Sequence, residues 1–305
     1  MSQILKLKPQ FLKKIWGSHR LQNWGYDINN ETNMGEAWVI SALDSNPTAI
    51  INGSFQGLTL KDFYERNKNL FNLTYNEFPL LSKIITSDDY LSVQVHPNDE
   101  YAKAHHQSLG KAECWYILDC PKDAKIIYGH SANDNQQLTT MINEKQWKHF
   151  LKEVAIVPGD FLYVPPGKVH AITPEVTIFE LQQSSDITYR LYDFDRKDDE
   201  GNLRALHLKD SLATITVPDT NLDVIHRENG LLVNNEYFSL HLINNSLPTT
   251  YDFNETKWLQ LTVVSGAGTI NDEPFKMGES AIILDDKIMQ LTITGTIKLL
   301  VSYCK

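Results

Sequence analysis

The sequence predicts a mainly β protein: two double-sheet jelly-roll β-barrels with a few short helices. Three observations predict it. Many short apolar or alternating runs are separated by Gly, Pro, Asn and Asp turns at close spacing. The character of the chain changes after Val217-Pro218. A weak internal echo links residues 263–270 and 277–284 to residues 115–118 and 158–164. The expected organisation is therefore two domains, 1–217 with helical insertions and 218–305. A chain of 305 residues, 42% hydrophobic, can bury cores of that size.

In order, 37–42 and 49–52 read as strands punctuated by Gly35, Asn46-Pro47 and Asn52-Gly53. Leu60, Phe63, Tyr64, Asn67 and Phe71 recur at three- and four-residue spacing, predicting a helix over 58–71. Residues 78–85 form an apolar strand leading into the central stretch, 91–99. There Leu91, Val93 and Val95 alternate with Ser92, Gln94 and His96. Side chains two apart share a strand face, so a hydroxyl, an amide and an imidazole line up on one side. Pro97 ends the ladder because it has no N–H to donate. Asn98-Asp99-Glu100 caps a short helix over 101–106, with acids where the helix dipole favours them.

Strands follow at 114–118 and 124–128. A helix is predicted over 143–153, with Trp147, Phe150 and Leu151 as its buried stripe. The turns Pro158-Gly159-Asp160 and Pro165-Pro166-Gly167 separate strands at 155–157, 161–164 and 169–172, and further strands lie at 176–182 and 188–192. A charged loop, 196–202, precedes a short helix at 206–213. The second domain reads as strands at 230–233, 238–243, 258–265, 279–283 and 289–303.

A net charge of −10, from 28 Lys+Arg against 38 Asp+Glu, argues against nucleic acid or an anionic membrane as partner. A phosphorylated metabolite then requires a local cationic pocket. Cys114, Cys120 and Cys304 have no framework spacing, which favours free thiols in a reducing cytoplasm. The N-terminus has no apolar signal core and no stretch approaches a membrane span, so a soluble cytoplasmic protein is expected.

Three segments of the first domain offer metal-type ligands: Gln94 with His96, Glu113, and His170. Two imidazoles and a carboxylate, with an amide in reserve, suit a catalytic divalent ion with an open position. Taken singly, each reads as a satisfied core histidine or a surface acid. Three at strand–turn junctions of one barrel favour the metal. Arg190 lies on an alternating strand, where its guanidinium can take a phosphate bidentately or pair with Asp193 or Asp195. Lys111, two residues before Glu113, shares that residue's strand face and can reach the same pocket. Cys114 reads as a small buried hydrophobe rather than a nucleophile. His105-His106 reads as a solvated helix face. His19, His130, His149, His207, His226 and His241 have no partner at useful spacing.

The stretches Ser92-Val-Gln94-Val-His96-Pro-Asn, Gly110-Lys111-Ala-Glu113-Cys-Trp-Tyr, Val-Pro-Pro-Gly-Lys-Val-His170-Ala and Thr-Tyr-Arg190-Leu-Tyr-Asp-Phe-Asp-Arg resemble the type I mannose-6-phosphate isomerases. Ile15-Trp-Gly, Gly35-Glu-Ala-Trp, Phe78-Pro-Leu-Leu-Ser-Lys and Leu206-His-Leu are similar to the short bacterial form, over residues 8 to 215. The resemblance implies two cupin domains, the second without metal, and one zinc ion per chain. It implies zinc ligation by His96, Glu113 and His170, with Gln94 as a further ligand. It implies an essential catalytic Arg190 and Lys111 in the pocket; Ser92 and Glu180 are expected at the substrate. The implied reaction interconverts mannose 6-phosphate and fructose 6-phosphate, and the implied partner is a phosphorylated hexose, bound by a monomer or weak homodimer. Ala112 departs from the Thr or Pro of many relatives, and the helical insertion of longer members is missing.

Aldose–ketose isomerisation proceeds through a cis-enediol whose negative charge a zinc ion can stabilise. Lys111 and Glu180 are both candidates for the general base. Two other readings use the same ligands: an Fe(II) dioxygenase, and a sugar-sensing cupin that binds without turnover.

Overall fold

Alternation along the chain becomes antiparallel ladders. The computed structural model describes residues 3–198, 200–285 and 289–304, and these are mainly β with six short α-helices among them. Asp199, in the charged loop, lies outside them. None of the helices is long and apolar enough to cross a membrane.

Contacts divide the chain into two units, and the division does not fall simply at 217. One unit joins the residues up to Leu12 and His19–Ile84 to the chain from Arg227 onward; the other holds Lys13–Ser18 and Ile85–His226. The reason is non-local pairing. The strand Gln3–Lys8 pairs with Ser280–Leu284 on one side and Ala49–Ile50 on the other. No local pattern near residue 3 announces a partner near residue 280.

In the first unit the strand order is Gly230–Asn234, Ser239–Asn245, Gln290–Tyr303, Trp258–Ile270, Ser280–Leu284, Gln3–Lys8, Ala49–Ile50. Thr249–Asp252 pairs with Gln290–Tyr303, and Glu273–Lys276 with Trp258–Ile270. The helix expected over 58–71 is two helices, Leu60–Arg66 and Lys68–Phe71. Thr59 caps the first, accepting from Asp62 N, and the break falls at Asn67, which leaves helical geometry. Except for Asn67, at the break, the stripe is the one expected: Leu60, Phe63, Tyr64 and Phe71 are buried, and Phe71 and Phe78 meet Trp258 edge-on at 5.7 and 5.3 Å.

The second unit holds two antiparallel groups. One orders Ile225–His226, Asp160–Val164, Glu113–Asp119 and Thr177–Gln183; the other orders Tyr189–Tyr192, Val93–Val95, His170–Ala171, Lys125–His130 and Leu151–Ala155. Trp115, Ile117, Leu162, Val164, Ile178, Ile126 and Tyr128 pack together in one core. Val93, Val95, Ile127, Ala171 and Leu191 form a second core with Leu138, Met141, Ile142 and Phe150. The second group thus gives apolar residues to both cores, because alternation sends neighbouring residues to different faces.

The helix expected over 143–153 is not there. Instead Asn135–Asn143 is helical, Trp147–Phe150 makes one turn, and Leu151–Ala155 is a strand paired with Lys125–His130. Leu138, Met141 and Ile142 supply the stripe, Asp134 caps it by accepting from Gln137 N at 2.7 Å, and Lys145 at φ 53° ends the helical run. Strand pairing overrides the apolar spacing of Trp147, Phe150 and Leu151. The expected strand at 155–157 likewise ends at Ala155. The short helix after Pro97 spans Asp99–His106, with Asn98 accepting from Tyr101 N as expected.

Candidate active site

Val93 and Val95 belong to the second of these cores, so Gln94 faces the other way, and His96 follows it past the strand end. In the ladder Gln94 stands opposite His170 on one side and Arg190 on the other. Glu113 opens its strand in the other group, opposite Val164 and Gln182. His96, Glu113 and His170 are all buried, and their ligand atoms lie within 4.8 Å of one another. His96 Nε2 is 3.4 Å from Glu113 Oε2, and His170 Nε2 is 3.3 Å from Glu113 Oε1. Gln94 Nε2 lies 3.3 Å from His170 Nε2, so the Gln94 amide joins the group.

The imidazoles are aimed by backbone. His96 Nδ1 meets Ile187 O at 2.9 Å and His170 Nδ1 meets Lys168 O at 2.8 Å. A carbonyl only accepts, so each Nδ1 carries the proton and each Nε2 turns a lone pair to the centre. Burial, with the Lys111 charge adding to it, pushes the His170 imidazole down to about 3 and keeps it neutral.

Lys111 is buried, with Nζ 2.9 Å from Glu113 Oε2 and 3.0 Å from His96 Nε2. Its backbone is pinned from several sides. Lys111 N donates to Pro97 O, Gly110 N donates to Asp99 Oδ1 at 2.7 Å, and Ala112 N donates to Gln183 Oε1 at 2.9 Å. Gln183 Nε2 in turn donates to Asp99 Oδ1. Gly110 passes so close to the next turn that a Cβ would lie 2.6 Å from Asn98 C and Asp99 N. Sequence reasoning did not single out Asp99 or Gln183, because Asp99 reads as part of a helix cap and Gln183 lies just past the expected strand 176–182.

Arg190 does not pair with Asp193. That carboxylate takes Arg196 at 2.8 Å and Arg204 Nε at 2.7 Å; burial opposes its ionisation, but the two guanidinium groups hold its carboxyl below the usual range. The Arg190 guanidinium donates instead to Ala205 O at 2.8 Å, and its Nε is buried with no hydrogen-bond partner among the described residues. Glu180 is buried opposite Trp115 and accepts its indole N–H at 3.0 Å, while the Trp115 ring meets His170 edge-on at 5.2 Å. Ser92 is buried just before the 93–95 strand, without a described hydrogen bond to the triad. Cys114 is fully buried and burial pushes its thiol well up, so it is no nucleophile. His105 stacks on Tyr101, and His106 Nε2 bonds the Tyr189 hydroxyl at 2.7 Å, so these exposed histidines are partnered.

A model of the type I phosphomannose isomerase catalytic domain matches residues 4–112. The mannose-6-phosphate isomerase ManA of Bacillus subtilis is 44% identical, over 92% of each chain. The chain belongs to the type I phosphomannose isomerases. The mannose-6-phosphate isomerase of Streptococcus mutans is 38% identical over 99% of each chain. The crystal structure of a B. subtilis mannose 6-phosphate isomerase superimposes with a TM-score of 0.90 at 37% identity, covering 98% of this chain and 99% of that one. A zinc-bound mannose 6-phosphate isomerase has the same fold, with a TM-score of 0.79 at 15% identity over 99% of each chain.

For a type I phosphomannose isomerase, the donor set at this site fits a zinc ion. Two neutral imidazoles and a carboxylate converge, and two of these three donors already accept the Lys111 ammonium, so they are disposed to take a cation. The carbonyls behind each Nδ1 supply the outer hydrogen bonds that orient ligating histidines.

Proposed function

We propose that the chain interconverts mannose 6-phosphate and fructose 6-phosphate through a cis-enediol, with one zinc ion held by His96, Glu113, His170 and Gln94. The observation that carries this reading is the buried convergence of His96, Glu113 and His170 on one point, in a chain of this family. A zinc ion there supplies Lewis acidity to the negative charge that develops on the sugar oxygens.

The chain's own groups do the rest. Arg190 is a cation with an unused N–H at Nε, suited to the phosphate or to the enediolate charge. Lys111 holds a proton at Nζ beside the triad and can supply it to a sugar oxygen. Glu180 shares a strand face with Gln182, the residue opposite Glu113, and is the carboxylate assigned here to take the proton from carbon. Trp115 orients it through the indole N–H. Ser92, buried just before the 93–95 strand, brings a hydroxyl for the sugar.

The test is a coupled assay for fructose 6-phosphate formed from mannose 6-phosphate, before and after chelation and with zinc added back. Loss on chelation and recovery with zinc supports the reading. A zinc-loaded chain without isomerase activity overturns it, and oxygen uptake by the iron-loaded chain would replace it with the dioxygenase reading.

A further inference from the structure

Arg190 lies on the strand Tyr189–Tyr192, at the open edge of its sheet group, where backbone groups have no further strand to pair with. One residue meets both of them. His207 N donates to Arg190 O at 2.8 Å, and Arg190 N donates to His207 Nδ1 at 3.0 Å. Ala205 O, two residues earlier on the same loop, takes the Arg190 guanidinium. The ladder shifts register between Arg190 and Tyr192, the kind of irregularity that re-aims a side chain. His207 also precedes the helix Leu208–Thr214, yet its side chain makes no cap bond to that helix, because Nδ1 is turned to Arg190.

We propose that His207 is a positioning residue for Arg190: it takes the place of the missing edge strand and, with Ala205 O, fixes where the guanidinium points. This rests on the role given to Arg190 above. The arrangement needs an acceptor at Nδ1, hence a neutral ring protonated at Nε2. The surroundings favour that form. Burial and the Arg190 charge hold the imidazole below its ordinary range, with Asp210 opposing them.

The test measures kcat, KM, zinc content and melting temperature for His207→Ala, His207→Asn, His207→Gln, Arg190→Ala and the His207→Ala/Arg190→Ala double variant. The Asn side chain can bring an oxygen where Nδ1 sits; Gln reaches too far. We expect His207→Ala to lower kcat by about tenfold to a hundredfold, the scale of a misplaced catalytic group, with zinc content unchanged. His207→Asn should recover most of that loss and His207→Gln little of it. In the Arg190→Ala background the His207 change should cost nothing further, since the two act as one unit. Wild-type kinetics in His207→Ala beside an inactive Arg190→Ala overturns the positioning role alone. Additive losses in the double variant, or equal losses in the Asn and Gln variants, overturn it as well. Near-normal turnover in Arg190→Ala instead overturns the reading of Arg190.

Discussion

Gln94 and Arg190 stand directly opposite each other on adjacent antiparallel strands, and His170 stands opposite Gln94 on its far side. An imidazole, an amide and a guanidinium therefore form one row across three strands. Two inter-strand steps separate Arg190 from His170, about 10 Å of backbone spacing. The Arg190 backbone is thereby set apart from the metal-type donors, a separation that suits either role proposed for its guanidinium.

Removing the guanidinium should lower turnover without emptying the metal site. Arg190→Ala is expected to lose about 10²–10³ in kcat, the scale for one preorganised electrostatic group. Zinc content by atomic absorption should match the parent, since no described side-chain contact joins Arg190 to His96, Glu113 or His170 and it meets Gln94 through the ladder backbone, which the substitution keeps.

Lys111 and Glu113 form a buried ion pair, 2.9 Å apart. In the metal-free chain, Lys111→Met leaves the Glu113 carboxylate buried without that ammonium and should cost about 3–5 kcal/mol. Zinc bound to the same carboxylate compensates its charge, so the cost should shrink when zinc is present. Chemical denaturation with and without chelator checks this; an equal cost in both conditions contradicts it.

The observed bond of Glu180 to the Trp115 indole and the proton transfer proposed for it can be separated. Glu180→Gln retains an acceptor for the Trp115 indole and should melt near the parent, yet lose about 10²–10⁴ in kcat as a proton acceptor. Glu180→Ala should lose the activity and also about 1–3 kcal/mol, because the indole N–H is left buried without its acceptor. Normal turnover in the Gln variant would remove Glu180 from the proton transfer.

His130 makes stability depend on pH. It is buried, its Nε2 bonds Thr216 O at 2.9 Å, and its Nδ1 accepts from Ala132 N at 3.2 Å. Burial holds its imidazole below the ordinary 6.5. As pH falls through that value the unfolded chain takes up a proton that the folded chain does not, so stability drops. Denaturation midpoints between about pH 7 and pH 5 should fall in the parent and fall less in His130→Asn, which cannot titrate.

The sequence by itself determined the alternation at Val93 and Val95 and with it the opposite face taken by Gln94, although Leu91 lies before the strand and packs in the other core. It also determined the Asn98 cap, the strand starting near Glu113, and the buried, inert character of Cys114. These follow from side-chain periodicity and local hydrogen bonding, which act over a few residues. The helix misplaced to 143–153 shows the limit of such reasoning: spacing alone cannot say whether Trp147, Phe150 and Leu151 serve a helix or a strand until Leu151–Ala155 finds Lys125–His130. Only the tertiary structure decided the pairings between distant segments. It set Gln94 between His170 and Arg190, gave Asp193 to Arg196 and Arg204 and so left Arg190 to Ala205, and joined residue 3 to residue 284. His207 is the clearest case. The stretch Leu206-His-Leu carries the family likeness but not the pairing, because the partner of His207 lies 17 residues away across a loop and is met through its backbone, which every residue type shares.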